Sequence, residues 1–337
     1  MHNFARIFIN KFKNNFILEW YNKFKDSEDY MPQIILFIFL TLTIIGFLLG
    51  NYLYVVVAKR SYSSNKIKVA EENEKYFMDD RSYFKTADAE HRYIQSGDNL
   101  LLHARLYENN SSSWVIICHP YRTAGIIMSG FAKIFSDMGF SVLAADMRGH
   151  GASEGNYIGM GWHDSFDVIA WIDFLNEEKN ADEILLFGVS MGAATVMMTA
   201  GHELPDNVKG VIEDCGYSSV KEELKHILKS KYKICGFPII NFASAISNIR
   251  AGYSFRSDGD VILQLKKSRL PILFIHGEDD RIVPLKMMEK LYNSATGEKE
   301  KLIIPSAGHA RSIDTDKKEY LKALYSFVFK HFNIAGK

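Results

Sequence analysis

Cysteine is scarce in this chain. Three occur in 337 residues, Cys118, Cys215 and Cys235, an odd number at wide spacing with no CxxC pair. A disulfide framework and a cysteine zinc site are therefore excluded. Net charge is also missing, since 40 basic residues balance 40 acidic ones. A nucleic-acid surface would need a basic excess, so no nucleic-acid partner is expected. No internal repeat or low-complexity tract is evident, and 47% hydrophobic against 24% charged residues excludes intrinsic disorder. The sharpest absence is local: residues 30–58 contain no Asp, Glu, Lys or Arg.

What fills that gap is almost wholly apolar from Ile34 onward. A run of about 20 such residues crosses a bilayer as a helix, so a transmembrane helix is expected over 33–58. A cleaved signal would need an apolar region of only about 7–15 residues. This one is longer and starts late, which favours an uncleaved single-pass anchor. Arg6, Lys11, Lys13, Lys23 and Lys25 precede it, and Lys59, Arg60, Lys66, Lys68 and Lys75 follow. That tie leaves the orientation open. Phe4, Phe8, Phe12 and Phe16 recur every four residues within 1–32. They suit a helix lying on the membrane or one packing on the protein's own globular domain. Gly46 and Gly50 form a GxxxG, a weak helix-pairing signal. Residues 59–87 read as a polar linker.

The remainder, 88–337, alternates two periodicities. Short apolar runs of strand length occur at 114–118, 142–145, 184–187, 208–212, 272–275 and 302–304. Helix-period segments lie between them, including 165–175 (Phe166, Ile169, Ile172 and Leu175 on one stripe), 193–202 and 317–332. Such alternation implies βαβ units and a mostly parallel sheet of about eight strands with helices on both faces. Ser96-Gly97-Asp98-Asn99 separates two earlier apolar stretches and predicts a leading antiparallel hairpin.

Gly188-Val189-Ser190-Met191-Gly192 joins a strand run to a helix run. A nucleophile on so tight a turn tolerates little bulk two residues to either side. The turn would present the Ser190 hydroxyl and leave the Met191 N–H free at a helix N-terminus, suited to a developing oxyanion. Serine needs a base and an orienting acid. Asp279 and Asp280 follow the run 272–275, and His309 follows 302–304, each just past a strand's carboxyl end. The order Ser, Asp, His is that of a nucleophile-elbow hydrolase.

With these residues in view, the chain from about 90 to 332 resembles a serine hydrolase of the α/β-hydrolase superfamily. It is most similar to the bacterial serine-aminopeptidase-like and acyl-thioester-hydrolase-like branch, many members of which carry an N-terminal membrane anchor. The resemblance rests on His119-Pro120, on Asp146-Met147-Arg148-Gly149-His150-Gly151, on the elbow, on Asp280-Arg281-Ile282-Val283-Pro284 and on Gly308-His309. It implies a catalytic set of Ser190, Asp280 and His309, with Asp280 preferred to Asp279 because Val-Pro follows three and four residues on. Where the family has His-Gly, this chain has His119-Pro120, so the second oxyanion donor falls on the Tyr121 N–H, with its ring or Arg122 placed to close over the site. Asp214, after the run 208–212, is an alternative acid.

Other polar residues suggest structural roles. His119, His150 and His276 end strands or sit in turns. His150, His163 and Asp164 are of metal-binding type, but Asp164 is placed to cap a helix, and the chemistry needs neither metal nor cofactor. A cap over about 217–260, with a lysine-rich helix at 221–233, suits either an acyl pocket whose lysines rest on anionic lipid or a small cap buried on its own core with its lysines in solvent. The expected function is a membrane-anchored esterase acting on a small acyl or lipid-like ester. Its alternatives are a thioesterase, a peptidase using Glu154, Glu213 or Asp214 to bind a substrate amine, and a non-enzymatic tethered binding protein.

Overall fold

The computed structural model describes residues 30–60, 77, 82–86 and 88–334. Nearly all of the amphipathic segment expected over 1–32 and most of the linker expected over 59–87 lie outside the described residues. The chain divides into two units, Met1–Leu49 and Gly50–Lys337. The boundary falls within a single helix, α1 (Met31–Val57), which has no acidic residue in its first turn and no basic residue in its last.

In the first unit, residues 31–49 of α1 extend about 28 Å at 1.5 Å per residue, close to the roughly 30 Å of a hydrocarbon core. Leu36, Phe37, Phe39, Leu42, Ile44 and Leu48 are all exposed, so apolar side chains point outward around the helix.

The second unit begins with the last two turns of α1. There Gly50, Tyr54 and Ala58 are buried at four-residue spacing. A methyl group on Gly50 would lie 2.4 Å from Phe242 Cβ, so this glycine of the GxxxG serves a close approach within the chain. A short helix α2 (Ser82–Thr86) leads to the hairpin β1 (Glu90–Gln95) and β2 (Leu101–Tyr107). Then come β3 (Ser113–Cys118), α3 (Ser129–Asp137), β4 (Ser141–Asp146), α4 (Trp162–Lys179), β5 (Glu183–Val189) and α5 (Met191–Thr199). β6 (Val208–Asp214) is followed by the cap helices α6 (Val220–Tyr232) and α7 (Ile239–Ala251) and by α8 (Val261–Leu265). The chain ends through β7 (Ile272–Gly277), α9 (Leu285–Ser294), β8 (Lys299–Ile304), α10 (Ser312–Thr315) and α11 (Lys317–His331).

The sheet has eight strands in the order β1-β2-β4-β3-β5-β6-β7-β8. β1–β2 and β2–β4 pair antiparallel and the other pairs are parallel. β3, β4, β5 and β7 are buried at every position, as continuous apolar strands covered on both faces must be. One face packs on α4 through α9 and the end of α1, with Trp171, Met197, Leu224 and Tyr253 in its core. The other packs on α3 and α11, with Phe131, Phe187, Tyr320 and Phe327.

Two local expectations are corrected. The buried face of α4 is Val168, Trp171, Ile172 and Leu175, while Phe166 is exposed; the real stripe is rotated because Trp171 and Phe174 claim the sheet. Asp164 is not the cap residue. Gly161 is, at φ 91°, and Asp164 stands three residues inside, accepting from the Gly161 N–H at 2.8 Å. The left-handed turn is open to glycine, so the helix starts earlier.

Candidate active site

The site forms at the carboxyl ends of β3, β5, β6, β7 and β8, and Ser190 sits at its centre. It caps α5 at φ 57°, ψ −114°, a conformation costly for a non-glycine residue and concentrated at functional sites. The flanking glycines permit it. A Cβ on Gly188 would meet Gly192 O at 2.2 Å, and one on Gly192 would meet Cys118 O at 2.1 Å. The Ser190 N–H donates to Asp214 O at 2.8 Å, fixing the turn to β6.

Ser190 Oγ lies 2.9 Å from His309 Nε2, and His309 Nδ1 lies 2.7 Å from Asp280 Oδ2. With the Nδ1 proton given to the carboxylate, Nε2 is left as the acceptor for the serine hydroxyl. The other Asp280 oxygen accepts the N–H groups of Ile282 and Val283, both at 2.9 Å. Three donors on one buried carboxylate hold it in one orientation. His276 donates from Nε2 to Val283 O at 2.8 Å and so clamps the same loop.

Asp214 ends β6 but makes a different set of contacts. It accepts from Tyr320 Oη at 2.9 Å and from Ser312 Oγ at 3.4 Å. Burial pushes its carboxyl up to about 6, against the pull of those donors. Glu213 accepts the Gly216 N–H, and burial pushes it well up. Glu154 is exposed and accepts the Leu101 N–H at 2.8 Å. Each of these three carboxylates accepts at least one hydrogen bond from the protein.

The second half of the site is the loop after β3. Among the described residues, neither the Met191 nor the Tyr121 N–H is taken up by another backbone group. The expectation that the Tyr121 ring or Arg122 closes over Ser190 is corrected. Tyr121 Oη donates to Val57 O at 2.7 Å and Arg122 Nη2 to Val56 O at 2.5 Å. Both side chains turn to the carboxyl end of α1, where unpaired carbonyls and the negative end of the helix dipole attract a cation and a hydroxyl. Arg122 itself sits at φ 56°, and its N–H donates to His150 Nε2 at 3.1 Å. Burial, and then the neighbouring His119, push His150 down to about 3, so it accepts this bond as a neutral ring. His119 Nε2 accepts the Met147 N–H at 3.0 Å.

The Asp146–Gly151 turn braces these loops. Asp146 accepts from the Gly125 N–H at 2.7 Å, the Ala152 N–H at 2.9 Å and His103 Nδ1 at 2.7 Å. Arg148 is buried between Asp167, at 2.6 Å, and Asp98, at 2.9 Å. His150, His163 and Asp164 are not brought together as ligands, because His163 pairs with Tyr157 Oη at 2.9 Å and Asp164 with Gly161. Cys215, Asp280 and His309 place donor atoms within 4.8 Å of one another, but Asp280 and His309 are already engaged with each other. No motif marks Glu223, a buried carboxyl of α6 pushed up to about 8 by burial and then by the charge of Asp280. Its only trace in the sequence is its place beside the apolar stripe of Val220, Leu224 and Leu228.

Comparison with known proteins agrees with this fold. Residues 109–242 match the family described as Serine aminopeptidase, S33. The chain is 28% identical over 221 residues to the uncharacterized protein YqkD of Bacillus subtilis, covering 65% of this chain and 72% of that one. It is 27% identical over 166 residues to the lysophosphatidylserine lipase ABHD12 of Xenopus tropicalis, covering 48% of this chain and only 41% of the lipase. Among solved structures, the Pyrococcus furiosus esterase Pf2001 superposes with a TM-score of 0.62 at 20% identity, over 78% of this chain and 97% of the esterase.

Proposed function

The chain has the α/β-hydrolase fold, and from that premise we propose that it belongs to the α/β-hydrolase superfamily as a membrane-anchored serine hydrolase cleaving carboxylic esters of apolar acyl groups. Ser190 Oγ attacks the ester carbonyl while His309 Nε2 takes its proton. Asp280 keeps the imidazole in the right tautomer and steadies the imidazolium without itself being protonated. The Met191 and Tyr121 N–H groups hold the oxyanion. His309 returns the proton to the leaving alcohol, and water, activated by the same histidine, releases the acid and restores Ser190. The observation that carries this reading is the unbroken relay of 2.9 Å and 2.7 Å from a strained serine to a buried carboxylate.

An ester is favoured over an amino-terminal peptide bond because Glu154, Glu213 and Asp214 are each held by donors of the protein. The names of the related lipase and the superposed esterase point the same way. Residues 31–49 of α1 supply the anchor, with apolar side chains exposed over a length that matches the bilayer core.

The test is turnover by the detergent-solubilised full chain of a matched acyl ester, thioester and amino-acid amide. The ester should be cleaved at least about tenfold faster than the amide, and Ser190→Ala should abolish all cleavage, a loss on the order of 10⁶. An amide preferred over the ester would move the reading to a peptidase. A fully active Ser190→Ala would end it.

A further inference from the structure

The cap carries a one-sided charge. From 224 to 257 there is no Asp or Glu, yet Lys225, Lys229, Lys231, Lys233, Arg250 and Arg256 fall within that stretch of a chain whose net charge is zero. Three of these cations surround an apolar tip. α6 ends at Tyr232, Lys233 turns the chain at φ 58°, and Pro238 caps α7. Across this turn Tyr232 is 54% exposed, Ile234 44% and Phe237 72%. Lys229, Lys231 and Lys233 are exposed as well, and among the described residues none of the three forms an ion pair. A single exposed apolar side chain needs no explanation. Three within six residues, interleaved with cations and cleared of acids, form the pattern of a surface that enters the headgroup region of an anionic membrane.

The position of this tip fits that partner. α7 packs on the last turns of α1, with Phe242 against Gly50 and the Arg250 guanidinium 5.6 Å from the centre of the Tyr54 ring. Going from Arg250 to Phe242 along α7 thus parallels going from Tyr54 to Gly50 along α1. Extending the first leads to Phe237 and the tip. The second ends at Gly50, the first residue of its unit. The tip therefore lies at the end of α7 that packs on Gly50.

We propose that the last turn of α6 and the loop 233–237 dock on the anionic surface of the bilayer that holds α1. The lysines meet lipid phosphates, and Tyr232, Ile234 and Phe237 enter the interface. The cap, which follows β6 at the edge of the site, is then held against the source of the acyl substrate. This inference rests on the membrane-anchored reading above.

Cys235 lies in the middle of the tip and is exposed, whereas Cys118 and Cys215 are buried, so a thiol-reactive fluorophore reports on the tip in the native chain. The labelled full chain is placed in nanodiscs of phosphatidylcholine alone or with about one-third phosphatidylglycerol, and quenching is read with aqueous iodide and with a headgroup nitroxide lipid. Docking predicts protection from iodide and strong nitroxide quenching in the anionic discs, weakened by salt. Lys229→Glu with Lys231→Glu should shift the docking equilibrium by roughly tenfold or more. Phe237→Ser should weaken it in both lipids, and Lys318→Glu with Lys322→Glu, on α11 across the sheet, should leave it unchanged. Unaltered cleavage of a short soluble ester would show that the variants are folded. Equal iodide access in both lipids, unaffected by the lysine reversals, would overturn the proposal. A chain that never enters the discs would instead refute the anchor.

Discussion

The two halves of the candidate site are held in different ways. Ser190, His309 and Asp280 are hydrogen-bonded to one another, on elements that all belong to the sheet and its immediate loops. The Met191 and Tyr121 N–H groups have no such mutual bond. The loop carrying Tyr121 is pinned on one side by His150 and on the other by its grip on Val56 and Val57 at the end of α1. One half is a self-contained relay. The other is a pair of donors whose alignment is borrowed from neighbouring elements, one of them the end of α1. A change in the relay should abolish chemistry outright, whereas a change in the bracing should loosen it by degrees.

After Ser190 itself, the largest effect is expected at Asp280. Asp280→Asn keeps the shape of the side chain but allows the wrong imidazole tautomer, and kcat should fall by about 10⁴ with KM little changed. Steady-state kinetics on a soluble ester measure it. Asp214→Asn, at the end of the neighbouring strand, should lower kcat by less than about tenfold, because Asp214 is bonded to Tyr320 and Ser312 and not to His309. If the two variants exchanged these outcomes, the acid would be Asp214.

Next comes the bracing half. Arg122→Ala removes the cation from the end of α1 and frees the loop. A full oxyanion donor is worth about 10²–10³ in kcat, and misalignment should cost less, roughly tenfold. Because the relay is untouched, the pH profile of kcat/KM should keep its shape. A changed profile would show that the two halves are not separable.

Asp214 also gives a pH prediction. Its folded value of about 6 lies above the ordinary 3.8 of an aspartate, so the folded state binds the extra proton and its contribution to stability is lost as pH rises from about 4 through 6. Asn cannot ionise. Relative to wild type, Asp214→Asn should therefore gain roughly 2 kcal/mol between pH 4 and pH 7, read by denaturant unfolding at both pH values. A constant difference would mean that Asp214 is not held protonated. The smallest effect is Tyr121→Phe, which deletes one hydroxyl to Val57 O and should cost about 1 kcal/mol of stability with kcat within a few-fold of wild type.

The contrast between the halves also explains what the sequence makes legible. The relay is readable because each member sits just past a strand of recognisable composition, and the glycines around Ser190 are demanded by contacts as short as 2.1 Å. The hairpin and the six apolar strand runs follow from the same periodicity. The bracing is not readable, because Tyr121 and Arg122 meet Val56 and Val57 across more than sixty residues, and no spacing rule links a loop to a distant helix end. Gly50 shows the same limit. Inside an apolar run it suggests a helix-pairing face, yet Phe242 occupies that space. Asp164 differs for a local reason, since a left-handed Gly161 started α4 a turn ahead of its polar residue.

The central claim is that Ser190 is an activated nucleophile, and covalent labelling of the solubilised full chain with a fluorophosphonate probe tests it most directly. The account predicts a stoichiometric adduct mapped by mass spectrometry to Ser190, absent in Ser190→Ala and formed far more slowly in Asp280→Asn. A folded wild-type chain that takes no label, or an adduct that persists in Ser190→Ala, would contradict it.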